Sequence, residues 1–330
     1  MSLVAIEQLL KQTMGLNAAS IGSSAINRAV QQRLRELGLP APEEYLLRLR
    51  GSAGELARLI DLVVVPETWF FRDRHPSDAL AACAREFLTH SKRSGPLRLL
   101  SVPCSTGEEP YTLVMTLLDA GLRPDAFQID AVDISAPNLE RARAGLYREH
   151  SFRGDDLRYR DRYFRKSEHG YLLDAEVRKQ VRLHHANLLA ADFFPDAPPY
   201  DVVFCRNLLI YFDRETQARA LAVLERLLAP HGLLFLGHAE AGVLSGQAFV
   251  PLEHQRCFAF ARGSRRQADK LPAERVFKLP SRRRPTVPKP GTAPRPFAAE
   301  PAAAEAPSAP PESSGALETA TRLANEGHLV

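Results

Sequence analysis

Apolar residues recur at helical spacing through the first 65 positions. Leu3, Ile6, Leu9 and Leu10 make one stripe, and Ile26, Val30, Leu34 and Leu37 make another that stops at Gly38. Pro42 suits the first position of a third helix, with Tyr45, Leu46 and Leu49 inward and Gly51 as the stop. Ser52-Ala-Gly-Glu55 reads as a capping box opening a fourth, with Leu56, Leu59, Ile60 and Val63 on its inner face. From Leu97 short apolar runs alternate with amphipathic ones. The predicted strands are Leu97–Val102, Phe127–Val132, Val181–His184, Asp201–Cys205, Gly232–Gly237 and Cys257–Ala261. The predicted helices are Ser77–His90, Glu109–Ala120, Ser135–Ala144 and Asp213–Leu228. That alternation specifies a doubly wound α/β sheet behind a small helical domain. Phe249–Gln255 is a further short strand candidate, which would end the sheet in a reversed hairpin. Between Arg158 and His185, aromatic and β-branched runs around Ser167-Glu-His-Gly170 predict a small antiparallel insertion of two or three strands.

Beyond Arg262 the pattern stops. Residues 263–315 are rich in Pro, Ala, Arg and Ser and poor in large apolar residues, so an extended, mobile linker is expected. In 316–330, Leu317, Ala320, Leu323 and Ala324 again make a helical stripe, either a lone helix or the start of a repeat domain that recruits a further protein. The expected organisation is therefore 1–75 helical, 76–262 sheet with the insertion at 158–185, then linker and terminal helix. The chain has 330 residues, 45% of them hydrophobic, enough for a sizeable core. Its net charge of +4 is local, with Arg282, Arg283 and Arg284 in the Pro-rich tail and other arginines in the first 60 positions. Because no basic stripe crosses the sheet domain, no nucleic-acid partner is expected. No apolar run is long enough to span a bilayer, and Met1–Leu10 contains Glu7 without a basic start and cleavage site. The four cysteines are scattered with no metal-ligand spacing, as in reduced thiols of a cytoplasmic, metal-free monomer.

Chemistry enters at Ser101-Val-Pro-Cys-Ser-Thr-Gly-Glu-Glu-Pro-Tyr111, a strand–turn–helix junction with the topology of a nucleotide-binding loop. Glu108 and Glu109 occupy the helix start, where a phosphate binder needs bare N–H groups or a lysine. Carboxylates there suit a ligand bearing positive charge, such as S-adenosylmethionine, which carries an ammonium and a sulfonium but no phosphate. Asp133 ends the second predicted strand, where an acid can bind ribose hydroxyls, or it caps a helix together with Ser135. Asn187 follows the third strand and either reads an adenine edge or supplies turn chemistry. Arg206, Asn207 and Tyr211 lie at the carboxyl edge of the sheet and are too polar for that place without a partner. Glu67-Thr-Trp-Phe-Phe-Arg-Asp73 joins the two predicted domains. It is either interdomain packing or the aromatic wall of a carboxylate-binding cleft. On the second helix Arg28, Gln32 and Arg35 share a face opposite the apolar stripe, either solvated or docking an acidic partner.

Taken in order, Glu67-Thr-x-Phe-Phe-Arg72, Cys104-Ser-Thr-Gly-Glu-Glu-Pro-Tyr111, Ala131-Val-Asp-Ile-Ser135, Asn187-Leu188 and Cys205-Arg-Asn-x-x-Ile-Tyr-Phe212 resemble the CheR family. These are S-adenosylmethionine-dependent methyltransferases of bacterial chemoreceptors. The likeness covers about residues 1 to 262 and implies a Rossmann-like class I methyltransferase sheet. It implies that Thr68, Arg72, Glu108, Asp133, Asn187, Leu188 and Asn207 line the cofactor pocket. It implies further that Arg72 and Tyr211 face the methyl-transfer centre, and that Arg28 and Arg35 dock the cytoplasmic domain of a methyl-accepting chemoreceptor. The expected product is a glutamyl methyl ester. Two features depart from the family pattern: Pro103 stands where a small residue is usual, and Ser167–Gly170 is too short for a loop that grips a receptor's C-terminal pentapeptide. The linker and helix after Arg262 resemble a Wsp-type subgroup with appended repeats. The competing expectations are a methyltransferase of nucleic acids or small molecules, against which the lack of an Asn-Pro-Pro-aromatic motif counts, and a non-catalytic cofactor-binding adaptor.

Overall fold

A computed structural model of the chain describes residues 2–90, 95–244, 249–252 and 256–262, which fall within one compact unit. The expected linker and terminal helix lie outside the described residues.

Five helices open the fold: α1 Ser2–Met14, α2 Ala18–Ile21, α3 Ser23–Leu37, α4 Pro42–Gly51 and α5 Ala53–Val63. Local chemistry sets their ends. Gly38 takes the left-handed conformation that stops α3, and Pro42 starts α4. At Ser52 the hydroxyl accepts from the Glu55 N–H at 3.2 Å, half of the expected capping box. The other half is absent, because the Glu55 side chain is drawn inward. It accepts from Arg33 Nε and Nη2, each at 2.8 Å, and from the Tyr45 hydroxyl at 2.9 Å. A buried carboxylate needs such partners, and this one ties α3, α4 and α5 together around Ile6, Leu10, Ile26, Val30 and Leu59.

The remaining elements are α6 Arg74–His90, β1 Leu97–Ser101, α7 Glu108–Asp119, β2 Phe127–Asp133, α8 Ala136–Ala144, β3 Leu146–Tyr147, α9 Arg158–Tyr163, β4 Phe164–Ser167, β5 Gly170–Leu173, α10 Ala175–Lys179, β6 Val181–His185, β7 Tyr200–Cys205, α11 Arg214–Leu227, β8 Leu228–Leu236, β9 Phe249–Pro251 and β10 Ala259–Arg262. Seven strands form one sheet in the order β6-β2-β1-β7-β8-β10-β9. The first five are parallel, and β10 is antiparallel to both β8 and β9, giving the reversed ending. Alternate residues of each strand serve opposite faces. Leu97 and Leu99 pack with α6 and α7, whereas Leu100 and Val203 pack with Leu221 and Leu224 of α11. β8 begins earlier than its predicted start at Gly232, since Leu228 pairs with Tyr200 before a register shift brings Val202 opposite Leu233.

The small sheet differs from expectation. Its order is β3-β5-β4, so its first strand precedes the predicted start at Arg158. Two residues directly after the helix-stopping Gly145 leave no periodic signal, yet Leu146 and Tyr147 pair with Leu172 and Tyr171. Val177 is helical, and Val181 belongs to the main sheet.

Candidate active site

The chain runs from β1 to β2 on one side, and β7 lies on the other side of β1. Loops leaving the carboxyl ends of β1 and β7 therefore diverge, and a crevice opens between them. A cleft sits there. Pro103, Cys104 and Ser105 line it from the first loop, and Phe204 at the end of β7 with Arg206 and Asn207 of the second loop from the other side. Glu67, Thr68, Trp69 and Arg72 supply a third wall.

The first loop can turn only because residue 107 is glycine. Its φ is +96°, and a Cβ would lie 2.8 Å from both Ala142 Cβ and the Tyr111 ring. The Tyr147 hydroxyl pins the turn by donating to the Thr106 carbonyl at 2.8 Å. Successive helical side chains diverge by about 100°, so the two glutamates part. Glu108, expected in the pocket, is buried away from the cleft lining and accepts from the Ser151 and Thr106 hydroxyls at 2.9 and 2.6 Å. Glu109 is the one that lines the cleft, accepting from the Ser101 hydroxyl at 2.8 Å and from Arg206 Nη1 at 3.4 Å. Burial pushes both carboxyls above the ordinary range, and for Glu109 the Arg206 charge pulls back most.

Arg206 is buried at the end of β7 and ties two walls together. Its Nη2 donates to Asp73 at 2.7 Å and its Nη1 to the Arg72 carbonyl at 3.3 Å. Its Nε and the Ser105 hydroxyl are buried, without a partner, and both residues line the cleft. Unpaired buried polar atoms cost free energy unless a ligand meets them.

The third wall is strained. Phe71 and Asp73 have φ of +55° and +54°, costly for residues with a Cβ. The Phe71 N–H donates to Thr112 Oγ1 at 3.1 Å, and the Arg206 pair fixes Asp73. Phe70 is buried edge-on against Tyr147 and Phe164, with ring centres 4.8 and 5.0 Å away. Arg72 is thereby held at the cleft, its Nη1 donating to the Glu67 carbonyl at 2.6 Å and its guanidinium 4.5 Å from the Trp69 ring centre.

Tyr211 ends a 3-10 turn, Leu209–Tyr211, beyond Asn207. Its phenol is pushed up first by burial and next by the Glu67 carboxylate, with Arg72 opposing, and the residue stands outside the cleft lining. The α1–α2 turn holds this segment. The Asn17 N–H donates to the Tyr211 carbonyl at 2.8 Å, Leu16 bridges Phe212, and Lys11 pairs with Asp213 at 2.6 Å.

The other expected site residues stand outside the cleft lining. Asp133 is buried, and its two oxygens accept from the Ser105 and Ser135 N–H groups at 2.7 and 2.9 Å, so it holds the first loop to the end of β2. Asn187 donates to the Thr13 carbonyl at 2.6 Å and accepts from the Leu189 N–H at 3.0 Å, which is turn chemistry plus a tether to α1. Leu188 is buried in the α11-side core. Arg28 and Arg35 are exposed on α3.

One residue of evident importance has no motif around it. Glu240 is fully buried, and its carboxylate accepts from the N–H groups of Asn207, Leu209 and Gly237 at 2.8, 2.7 and 2.6 Å. Asn207 itself has φ +59°, so Glu240 fixes a left-handed residue on the cleft wall. The only sequence hint is Gly237, where a Cβ would come within 2.6 Å of that carboxylate.

Residues 66–256 match the family model described as CheR methyltransferase, SAM binding domain. The chain is 51% identical over 258 residues to the "Probable biofilm formation methyltransferase WspC" of Pseudomonas aeruginosa, covering 78% of this chain and 61% of that protein. Its counterpart in Pseudomonas putida is 45% identical, with 77% and 60% covered. The chain thus spans about three-fifths of the length of these relatives. The "Chemotaxis protein methyltransferase" of Escherichia coli is 36% identical, with 71% of this chain and 82% of that protein covered. With its crevice, the glutamates that open α7 and these likenesses, the chain belongs to the CheR family of methyltransferases.

Proposed function

We propose that this protein transfers a methyl group from S-adenosylmethionine to glutamate carboxylates on the cytoplasmic domain of a methyl-accepting chemoreceptor, leaving glutamyl methyl esters. The observation that carries this reading is the cleft at the β1/β7 crevice, with Arg72 and Glu109 on its wall. The donor set fits the cofactor. Glu109 offers a negative charge to an ammonium or sulfonium, and the unpaired Arg206 Nε and Ser105 hydroxyl suit a carboxylate. Thr68, Arg72 and Asn207 belong to the same lining, with Asp133, Asn187 and Leu188 behind it as supports of its loops. When bound, S-adenosylmethionine supplies an electrophilic methyl on a sulfonium.

A glutamate is ionised near neutral pH, so the chain need not provide a general base. Arg72 steers the incoming carboxylate and Tyr211 orients it through its hydroxyl. Trp69 lines that end of the cleft, and the less water the bound cofactor and substrate leave there, the more the union of an anion with a cation is favoured. The names of the Pseudomonas relatives support a receptor of a pathway that controls biofilm formation.

The test is incubation with methyl-labelled cofactor and a receptor cytoplasmic fragment, followed by base. Release of labelled methanol is the expected result. Label that resists base means N-methylation, and no transfer means an adaptor.

A further inference from the structure

Trp69 is the single tryptophan of the chain, and two guanidinium groups lie against it. Arg72 is 4.5 Å from the ring centre and Arg153 is 4.3 Å. They come from distant parts of the sequence, Arg153 from the segment that follows β3. Both also turn to Glu67. Arg72 donates to its carbonyl, and Arg153 Nη1 lies 4.0 Å from its carboxylate. Arg153 is further steadied by a 3.3 Å bond from Nε to the His150 carbonyl. Its side chain is nonetheless 49% exposed, and that of Glu67 is 59% exposed.

Two like charges side by side are mutually repulsive, and the aromatic face compensates only in part. A single exposed carboxylate at 4.0 Å is a weak partner, readily exchanged for another. Glu67, which lines the cleft, therefore offers Arg153 a replaceable carboxylate while its backbone carbonyl holds Arg72.

We propose that Arg153 is a second anion-reading residue at the cleft mouth, which exchanges Glu67 for the carboxylates flanking the target on an acidic helical segment and so selects acidic substrates. This rests on the glutamate-methylation reading above. Arg72 serves the target carboxylate itself, while Arg153 reads its neighbours and takes no part in the chemistry.

The experiment uses the full chain and a receptor cytoplasmic fragment in three versions: native, and with the acidic residues flanking the methylated glutamate changed to Gln or to Lys. Arg153→Glu should raise KM for the native fragment by roughly tenfold, the order expected for reversing one partly exposed charge. It should leave S-adenosylhomocysteine affinity and kcat near native values, and Arg153→Lys should restore most of the loss. The Lys-flanked fragment should be the better substrate of Arg153→Glu and the poorer one of the native enzyme. Trp69 emission should respond to the native fragment in the native protein and in Arg153→Lys, but not in Arg153→Glu. If all three fragments lose equally in Arg153→Glu, or if cofactor affinity falls with them, Arg153 merely packs and the proposal is overturned. Base-labile transfer by the native enzyme that is indifferent to flanking charge also overturns it while leaving the methylation reading intact. Binding of S-adenosylhomocysteine without ester formation on any fragment sinks both.

Discussion

At the scale of single residues, Arg72 and Tyr211 are expected to act on turnover rather than on binding. Arg72→Ala and Tyr211→Phe should slow single-turnover methylation by about a hundredfold, the size of effect produced when a reacting group is misplaced. S-adenosylhomocysteine titrated by calorimetry should bind within a few-fold of native. A loss confined to affinity would make both residues binders only. Asp133 stands differently. Removing its carboxylate in Asp133→Ala strands one buried and one partly buried N–H group, at about 1–3 kcal/mol for the buried one. The denaturation midpoint should fall together with cofactor affinity, and unchanged stability would mean that water replaces the carboxylate. The sequence carried the loop and its charge but not which glutamate of the pair enters the cleft. That choice depends on where Ser151 and Arg206 stand in space, 43 and 97 residues away. Asp133 and Asn187 were legible as strand-end polar residues, each with a packing alternative. Their bonds to the N–H groups of Ser105, Ser135 and Leu189 were not legible, because these depend on how the loops fold back on the strand ends.

At the scale of elements, the parallel strands and their helices were readable from periodicity to within a few residues, since long buried runs leave little choice. The short β3 was not, because two residues carry no period. Neither was the segment Asn207–Tyr211, whose shape depends on Glu240. Glu240→Ala should lower stability by at least about 3 kcal/mol, as several buried N–H groups lose their acceptor together, and an ordinary surface-sized loss would contradict the clamp. On α3, reversing Arg28 and Arg35 to Glu should slow receptor methylation and leave cofactor binding unchanged. Rising salt should narrow the gap, because exposed charges are screened beyond about 8–10 Å near physiological ionic strength. Native rates from the reversed protein at low salt would make that face solvated surface only. Asp213, at the start of α11, is held down to about 2 from an ordinary 3.8, first by the Lys11 hydrogen bond and then by the Thr216 N–H. A lowered carboxyl stabilises the fold above its ordinary value and ceases to do so as pH falls towards the lowered one. The stability of the native chain to denaturation should therefore fall between those two values more steeply than that of Asp213→Asn, and parallel curves would show the pair to be idle.

At the scale of the molecule, the sheet contributes two cleft walls and the segment between α5 and α6 the third. Every residue assigned a role precedes Arg262. Deleting residues 263–330 should accordingly leave methylation of a soluble receptor fragment largely intact, measured as initial rate at saturating cofactor. A collapse of activity would bring the tail into the reaction itself. The end of α1 with the turn after it has a consequence for exchange between relatives. It is bonded to Tyr211, Phe212, Asn187 and Asp213, the last three through Leu16, Thr13 and Lys11. Gly15, at its centre, lies so close that a Cβ would be 2.5 Å from Leu189 and 2.6 Å from Thr216. The opening helices are thus no detachable adapter. A hybrid that borrowed its first 65 residues from a relative with another receptor would inherit that relative's side of the seam as well. Unless the stretch around Asn187 and Tyr211–Thr216 travelled with it, the new specificity would arrive with a misaligned tyrosine. Changes in receptor choice and in the methyl-transfer loop are therefore expected to be inherited together.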